Sequence, residues 1–189
     1  MKNTFLLLSA MTLSAVSFSQ TWTVDKAHSQ LNFGISHLSI SEIGGSFRSF
    51  DSKFVSTKDD FSDAVIELTA ETGSVNTGND QRDAHLKTPD FFDAAKYPAF
   101  TFKSKSFTKV AGKQYKLAGD LTFHGVTKPV VLDVTFNGTT TNPQSKKLVA
   151  GFHISGIIKR TDFGIATGFP TAMLGDEVAL SANTEFVKD

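Results

Sequence analysis

Five histidines (His28, His37, His85, His124 and His153) are the side chains best able to ligate a metal or move a proton near neutral pH. No two of them stand at HxH or HExxH spacing, so a metal site would have to be assembled from distant segments. Arg82 and His85, three residues apart, share a face if their segment is helical. Asp83, beside Arg82, reads as a solvated partner on that helix. Arg160 and Asp162 flank a strand end, and two readings stay open for them. They form a surface ion pair worth at most about 1 kcal/mol, or Arg160 joins Arg82 in holding an anionic or polar head group at a cavity mouth. GxSxG, P-loop and GxGxxG patterns are absent, and no serine sits on a strand-to-helix turn. The chain has no cysteine, which excludes disulfides, thiolate metal sites and a cysteine nucleophile. The expectation is a non-enzyme with no catalytic residues, no metal and no cofactor.

Phenylalanine is the unusual entry in the composition, with 18 copies against two Tyr and one Trp. Phe33, Phe100, Phe102, Phe123, Phe136, Phe152 and Phe186 all fall on apolar parities of alternating segments. They describe either a packed aromatic core or the lining of a slot for an extended apolar guest. Burying such a guest gains about 0.8 kcal/mol per CH₂ with no charge in the pocket.

The elements that must carry these residues are strands. Leu31, Phe33 and Ile35 alternate with polar neighbours, and the same period recurs through Ala64–Ala70, Phe100–Phe102, Leu117–Phe123, Val130–Phe136, Phe152–Ile158 and Val178–Phe186. Period two with one wet face marks antiparallel strands. With Trp22–Val24 and a stretch around Phe47–Val55, eight or nine strands are expected. Gly44-Gly45, Ala111-Gly112-Lys113, His124-Gly125 and Asn137 through Pro143 are expected connections. A sandwich and an up-and-down barrel both fit this spacing, and the clean final strand suits closure onto the first. One stretch of 24 residues, Gly73 to Lys96, lacks alternation. Within it, Thr77-Gly78-Asn79-Asp80 reads as the start of a short helix through Leu86, stopped by Thr88-Pro89 and followed by Phe91-Phe92. That helix would plug or cover a barrel end, with Gly164 to Gly175 as a second rim loop.

The whole chain has 189 residues and balances 19 basic against 19 acidic side chains, with 40% hydrophobic and 20% charged residues. Those shares belong to a globular protein, and the electrical balance argues against nucleic acid as a partner. Lys2, the apolar run from Phe5 to Val16, and small residues at Ser17 and Ser19 form the layout of a secretory signal peptide. Residues 1–19 are therefore expected to be removed, leaving a single domain over 20–189 in the periplasm or secreted, with no stable membrane anchor.

Taken in order, several motifs resemble the YceI-like polyisoprenoid-binding family, which is lipocalin-like. These are Trp22-Thr-Val-Asp25-Lys-Ala-His28-Ser29, Asn79-Asp-Gln-Arg82-Asp83-Ala-His85-Leu86, Phe91-Phe92-Asp93, Tyr97-Pro98-x-Phe100-x-Phe102, Gly119-Asp-Leu121-Thr-Phe123-His124-Gly125, and Arg160-x-Asp162-Phe163-Gly164. The resemblance implies an all-β, lipocalin-like up-and-down antiparallel barrel of about eight strands with a short helix-bearing insertion. It implies a hydrophobic small-molecule partner, an isoprenoid quinone, prenyl pyrophosphate or similar long amphiphile. Transient membrane contact and a homodimer are compatible with it. A lipid-modifying enzyme and a stress-related module without cargo are the alternatives. Residues expected at the ligand are Phe33, His37, Phe47, Arg82, His85, Phe91, Phe92, Phe100, Phe102, Phe123, Phe152, Ile154, Arg160 and Phe163.

Overall fold

Segments with one apolar face must bury it together, and here they do so around a single axis. The computed structural model describes residues 19–189; the expected signal segment, apart from Ser19, falls on residues outside these. In chain order the elements are β1 Gln20–Val24, β2 Gln30–His37, β3 Ser41–Phe47, β4 Phe50–Ser56, β5 Val65–Glu71, β6 Val75–Asn76, α1 Asp80–Leu86, β7 Ala99–Ala111, β8 Gln114–Phe123, β9 Val126–Thr141, β10 Leu148–Lys159 and β11 Leu174–Lys188.

Eleven strand segments make eight staves of a closed antiparallel barrel. β1 and β2 lie end to end along β11, with Val24 opposite Phe186 and Leu31 opposite Ala182. The interruption at Asp25–Ser29 is spliced to β11: Asp25 N donates to Glu185 O at 2.8 Å and Glu185 N donates to Ser29 Oγ at 3.0 Å. β3 and β4 form the next stave, on β2 and β1 respectively, and β5 and β6 the third, broken by a 3-10 turn at Thr72–Ser74. β7 to β11 follow in sequence, and pairing of β1 with β11 closes the ring, leaving no free edge along that side.

The structure moves two expected connections. Gly44-Gly45 lies inside β3, and the reversal comes at Leu38–Ile40, where Leu38 and Ser39 adopt φ of 53° and 57°. Gly45 serves a packing purpose: the Phe33 ring lies where its Cβ would be. β9 continues through Asn137 to Thr141, and the turn follows at Asn142, whose side chain accepts from the backbone N–H groups of Gln144 and Ser145. A bulge between Ser104 and Ser106 shifts the β7 register by one residue, so Phe107 turns inward although its odd number opposes Phe100 and Phe102.

One barrel end is a floor of stacked rings. Trp22 stacks on Phe54 at 5.4 Å and meets Phe61 edge-on at 5.3 Å, while Phe152 and Phe186 close on Phe54 at 5.8 and 5.1 Å. The opposite rim carries α1, the segment after it, and the 164–173 loop.

Candidate functional site

Three apolar chambers lie in series along the barrel axis. The upper one, about 90 Å³, sits under Leu86, Phe91 and Phe92 and against Ile165, Ala166 and Leu174. The central one, about 140 Å³, lies between Phe50, Phe100, Phe102, Leu117, Leu121 and Ile154. The lower one, about 50 Å³, rests on Phe54, Phe61, Phe152 and Phe186. Phe33, Phe47, Phe123, Ile158 and Leu180 line both upper and central chambers, and Ile66, Leu117 and Ile154 line both central and lower. These shared residues are the two necks of one interrupted channel. All three chambers present apolar atoms only. The central chamber is close in size to apolar cavities of about 150 Å³ that stay dry and accept benzene. A longer chain must therefore spread the necks.

Most of the expected aromatic residues converge here. Phe47 is the hub of the upper neck, in contact with Phe33 at 5.5 Å, Phe92 at 5.8 Å, Phe100 at 4.8 Å and Phe123 at 6.4 Å. Phe102 and Ile154 line the central chamber and Phe152 the lower one. Phe91 meets Phe169 at 5.1 Å, so the segment after α1 and the 164–173 loop close the rim against each other. Phe163 is buried but lines none of these chambers; it lies in the wall.

Of the four polar candidates, Arg160 alone borders a chamber, the upper one. Arg160 is 3% exposed, in place of the surface ion pair with Asp162 or an available rim cation. Its guanidinium donates to five backbone carbonyls: Gly175 at 2.9 Å, Ile165 at 3.1 Å, Phe169 at 2.9 Å, Leu174 at 3.0 Å, and Ala166. All five of its N–H donors are thus consumed in tying the rim loop and the start of β11 together, and none is left for a head group. Arg82 donates to the Thr77 hydroxyl and carbonyl at 2.7 and 2.9 Å. His85, exposed, rests edge-on against Phe91 at 4.8 Å, and His85 and Arg82 border an open depression outside the barrel. His37 ends β2 half-buried and lines no chamber.

Asp83 also departs from expectation, because it is buried instead of solvated. It accepts from Thr77 N at 2.8 Å, Thr77 Oγ1 at 2.6 Å and Asn76 Nδ2 at 3.4 Å, which pins α1 to β6. Asn79 caps the helix by accepting from Arg82 N at 2.9 Å. Phe50 and Phe169 are contributors the sequence reading passed over. Phe50 shared parity with Phe54 and could have been found that way, whereas Phe169 sits in a loop with no periodicity.

Charged chemistry stays outside. Asp25, His28 and Glu185 bring their ligand atoms within 4.8 Å of one another at the break between β1 and β2. One imidazole and two carboxylates could hold a divalent cation, but His28 Nδ1 is already hydrogen-bonded to Asp25 Oδ2 at 2.8 Å. That hydrogen bond raises the His28 pKa and lowers that of Asp25. Near the rim, the Thr161 hydroxyl holds the Asp176 carboxyl below the usual carboxylate range, with smaller help from Arg160.

The family model for the YceI-like domain matches residues 22–186, nearly the whole barrel. The chain belongs to the YceI-like family. A UPF0312 protein of Staphylococcus aureus (strain bovine RF122 / ET3-1) is 40% identical over 169 residues, covering 87% of this YceI-like chain and 96% of the relative. The crystal structure of a Campylobacter jejuni YCEI protein superposes with a TM-score of 0.74 at 36% identity, over 82% of this chain and 90% of that one. Burkholderia cenocepacia BcnA shares the fold with a TM-score of 0.77 at 24% identity, covering 86% of this chain and 98% of its own. A polyisoprenoid binding domain from Saccharophagus degradans, implicated in plant cell wall breakdown, shares it with a TM-score of 0.66 at 17% identity, over 89% of this chain and 98% of that chain.

Proposed function

We propose that this chain is an exported binding or carrier protein that takes one extended, apolar amphiphile into its barrel, with a polyisoprenoid such as an isoprenoid quinone or a prenyl pyrophosphate as the ligand class. The observation that carries this reading is the series of apolar chambers joined by aromatic and aliphatic necks. A flexible chain of repeated short units can thread such necks, and each buried CH₂ contributes about 0.8 kcal/mol. No histidine and no carboxylate lines any chamber, which favours holding a ligand over transforming it. The polyisoprenoid-binding neighbour supports the same ligand class through the shape of the shared barrel alone. The leader-like pattern over residues 1–19 favours action in the periplasm or outside the cell.

Native mass spectrometry of the exported protein, with organic extraction of what co-purifies, tests the proposal. A mass increment matching a prenyl lipid, lost on extraction, is the expected result. An apo mass under gentle conditions, together with no uptake of added prenyl lipid, would overturn it.

A further inference from the structure

The wall of the barrel has an unpaired seam. The β9–β10 ladder runs from Leu148 opposite Thr141 to Ser155 opposite Asp133 and ends there. Yet β9 begins at Val126 and β10 continues to Lys159. Each strand is held from behind over this stretch, β9 on β8 as far as Val126 opposite Phe123, and β10 on β11 as far as Lys159 opposite Glu177. Pro129, on the facing edge of β9, has no N–H to give. The 3-10 turn at Arg160–Phe163 curls into the gap, and an open groove of about 290 Å³ remains on the outside.

Three features of this groove suit an amphiphile. Its lips are Val131 and Ile157, 61% and 64% exposed, on an outer face where alternation elsewhere places Thr, Lys and Asp. Lys128 and Lys159 line it with Asp162, and neither lysine pairs with a carboxylate among the described residues. Val130 and Ile158 line both the groove and the central chamber, so the wall here is one layer of side chains thick. Phe163 closes the remainder, its ring 6.3 Å from that of Phe123, which lines the upper and central chambers.

We propose that this seam is a lateral portal, through which the apolar chain of an anionic amphiphile enters the central chamber while Lys128 and Lys159 hold its phosphate-type head outside. The inference rests on the lipid-binding reading above. Opening the rim by moving the 164–173 loop would break three hydrogen bonds from a buried guanidinium, those to Ile165, Ala166 and Phe169. Parting the seam breaks no strand pair, because none exists between β9 and β10 above Ser155 and Asp133. The remaining barrier is side chains alone, Phe163 with Val130, Ile158 and the Leu132 side chain that lies over Gly156, and apolar lips let a chain slide past without exposing it fully to water.

Absence of cysteine allows a clean test. A Val131→Cys/Ile157→Cys pair, joined by oxidation or by a short bis-maleimide, locks the seam, and a Ser39→Cys/Ala172→Cys pair, at the point where Ser39 Oγ donates to Ala172 O at 3.3 Å, locks the rim loop without touching a chamber. A dansylated farnesyl monophosphate serves as the probe and its association rate as the readout. Locking the seam should slow loading about tenfold or more, with recovery on reduction of the disulfide, while locking the rim should change it less than about twofold. The reverse pattern overturns the portal. Lys128→Glu with Lys159→Glu should weaken the phosphate probe about fivefold and leave the matching dansylated farnesol unchanged. Equal effects on both probes, or none on either, overturn the head-group assignment. If the unmodified protein takes up neither probe, the binding function fails and the portal with it.

Discussion

Phe47 and Phe123 meet edge-on across the barrel, ring centroids 6.4 Å apart at 76°, and both face the upper and the central chamber. They are two sides of the neck that separates those spaces. Because Phe47 also packs on Phe33, Phe92 and Phe100, the neck and the core are the same atoms. Stability and passage are therefore coupled. Phe47→Ala should cost about 3–5 kcal/mol in denaturant unfolding and at the same time speed loading of long prenyl probes. A loss well under 1 kcal/mol would show that the ring is not packed as described.

The central chamber should fail if charge is placed in it. Phe102 is 4% exposed and lines that chamber, whereas Lys105 lies on the opposite face with its Nζ 2.7 Å from Asp120 Oδ1. Phe102→Asp is expected to abolish ligand retention, and Lys105→Glu to leave it intact. Phe102→Leu, which keeps the face apolar, separates lost binding from lost folding and should retain most uptake. Equal retention by the Asp and Glu variants would mean that the inner face has been assigned wrongly.

Arg160 should behave as a structural clamp. A lysine has three donors on a point charge and cannot reproduce the fork that reaches five carbonyls. Arg160→Lys should therefore destabilise by about 2–3 kcal/mol, and Arg160→Met by about 3–5 kcal/mol, since buried carbonyls lose their partners. Hydrogen exchange should rise selectively over residues 164–175 in both variants. Uniform exchange with unchanged stability would be the contrary finding.

His28 and Asp25 give a pH signature on the outer surface. Hydrogen bonding to Asp25 raises the histidine pKa above its ordinary 6.5, and the contact with His28 lowers Asp25 below 3.8. A raised histidine contributes stability below its unfolded pKa and loses it as pH climbs through the folded value. A depressed carboxylate contributes above its unfolded pKa and loses that as pH falls through the folded one. The pairing should thus be complete between about pH 4 and 6.5. NMR titration should place His28 above 6.5, and Asp25→Asn should bring it back. A His28 titration indifferent to that substitution would remove the hydrogen bond from solution.

Much of the barrel was legible because strand geometry imposes a period of two on the chain. Phe33, Phe100, Phe102, Phe123 and Phe152 could be placed inside from their numbers alone, and all five line a chamber. The same rule failed where the ladder slips. A bulge at Ser104–Ser106 sends Phe107 inward, and no residue type in that stretch announces it. Gly44-Gly45 looked like a turn because glycine permits one, but Gly45 is required where the Phe33 ring crosses the strand.

By itself, then, the sequence determined an all-β chain with a helix-bearing insertion, a phenylalanine-rich interior and no thiol chemistry. Those are properties of composition and local periodicity. Tertiary structure alone decided what Arg160, Asp83 and the β9–β10 seam do. Arg160 is satisfied by carbonyls from five to fifteen residues away, brought to it by a loop with no repeating pattern. Asp83 is buried because α1 folds back on β6, and the seam exists because pairing between two strands stops while both continue. Each depends on where distant backbone lies, and side-chain alternation carries no information about that.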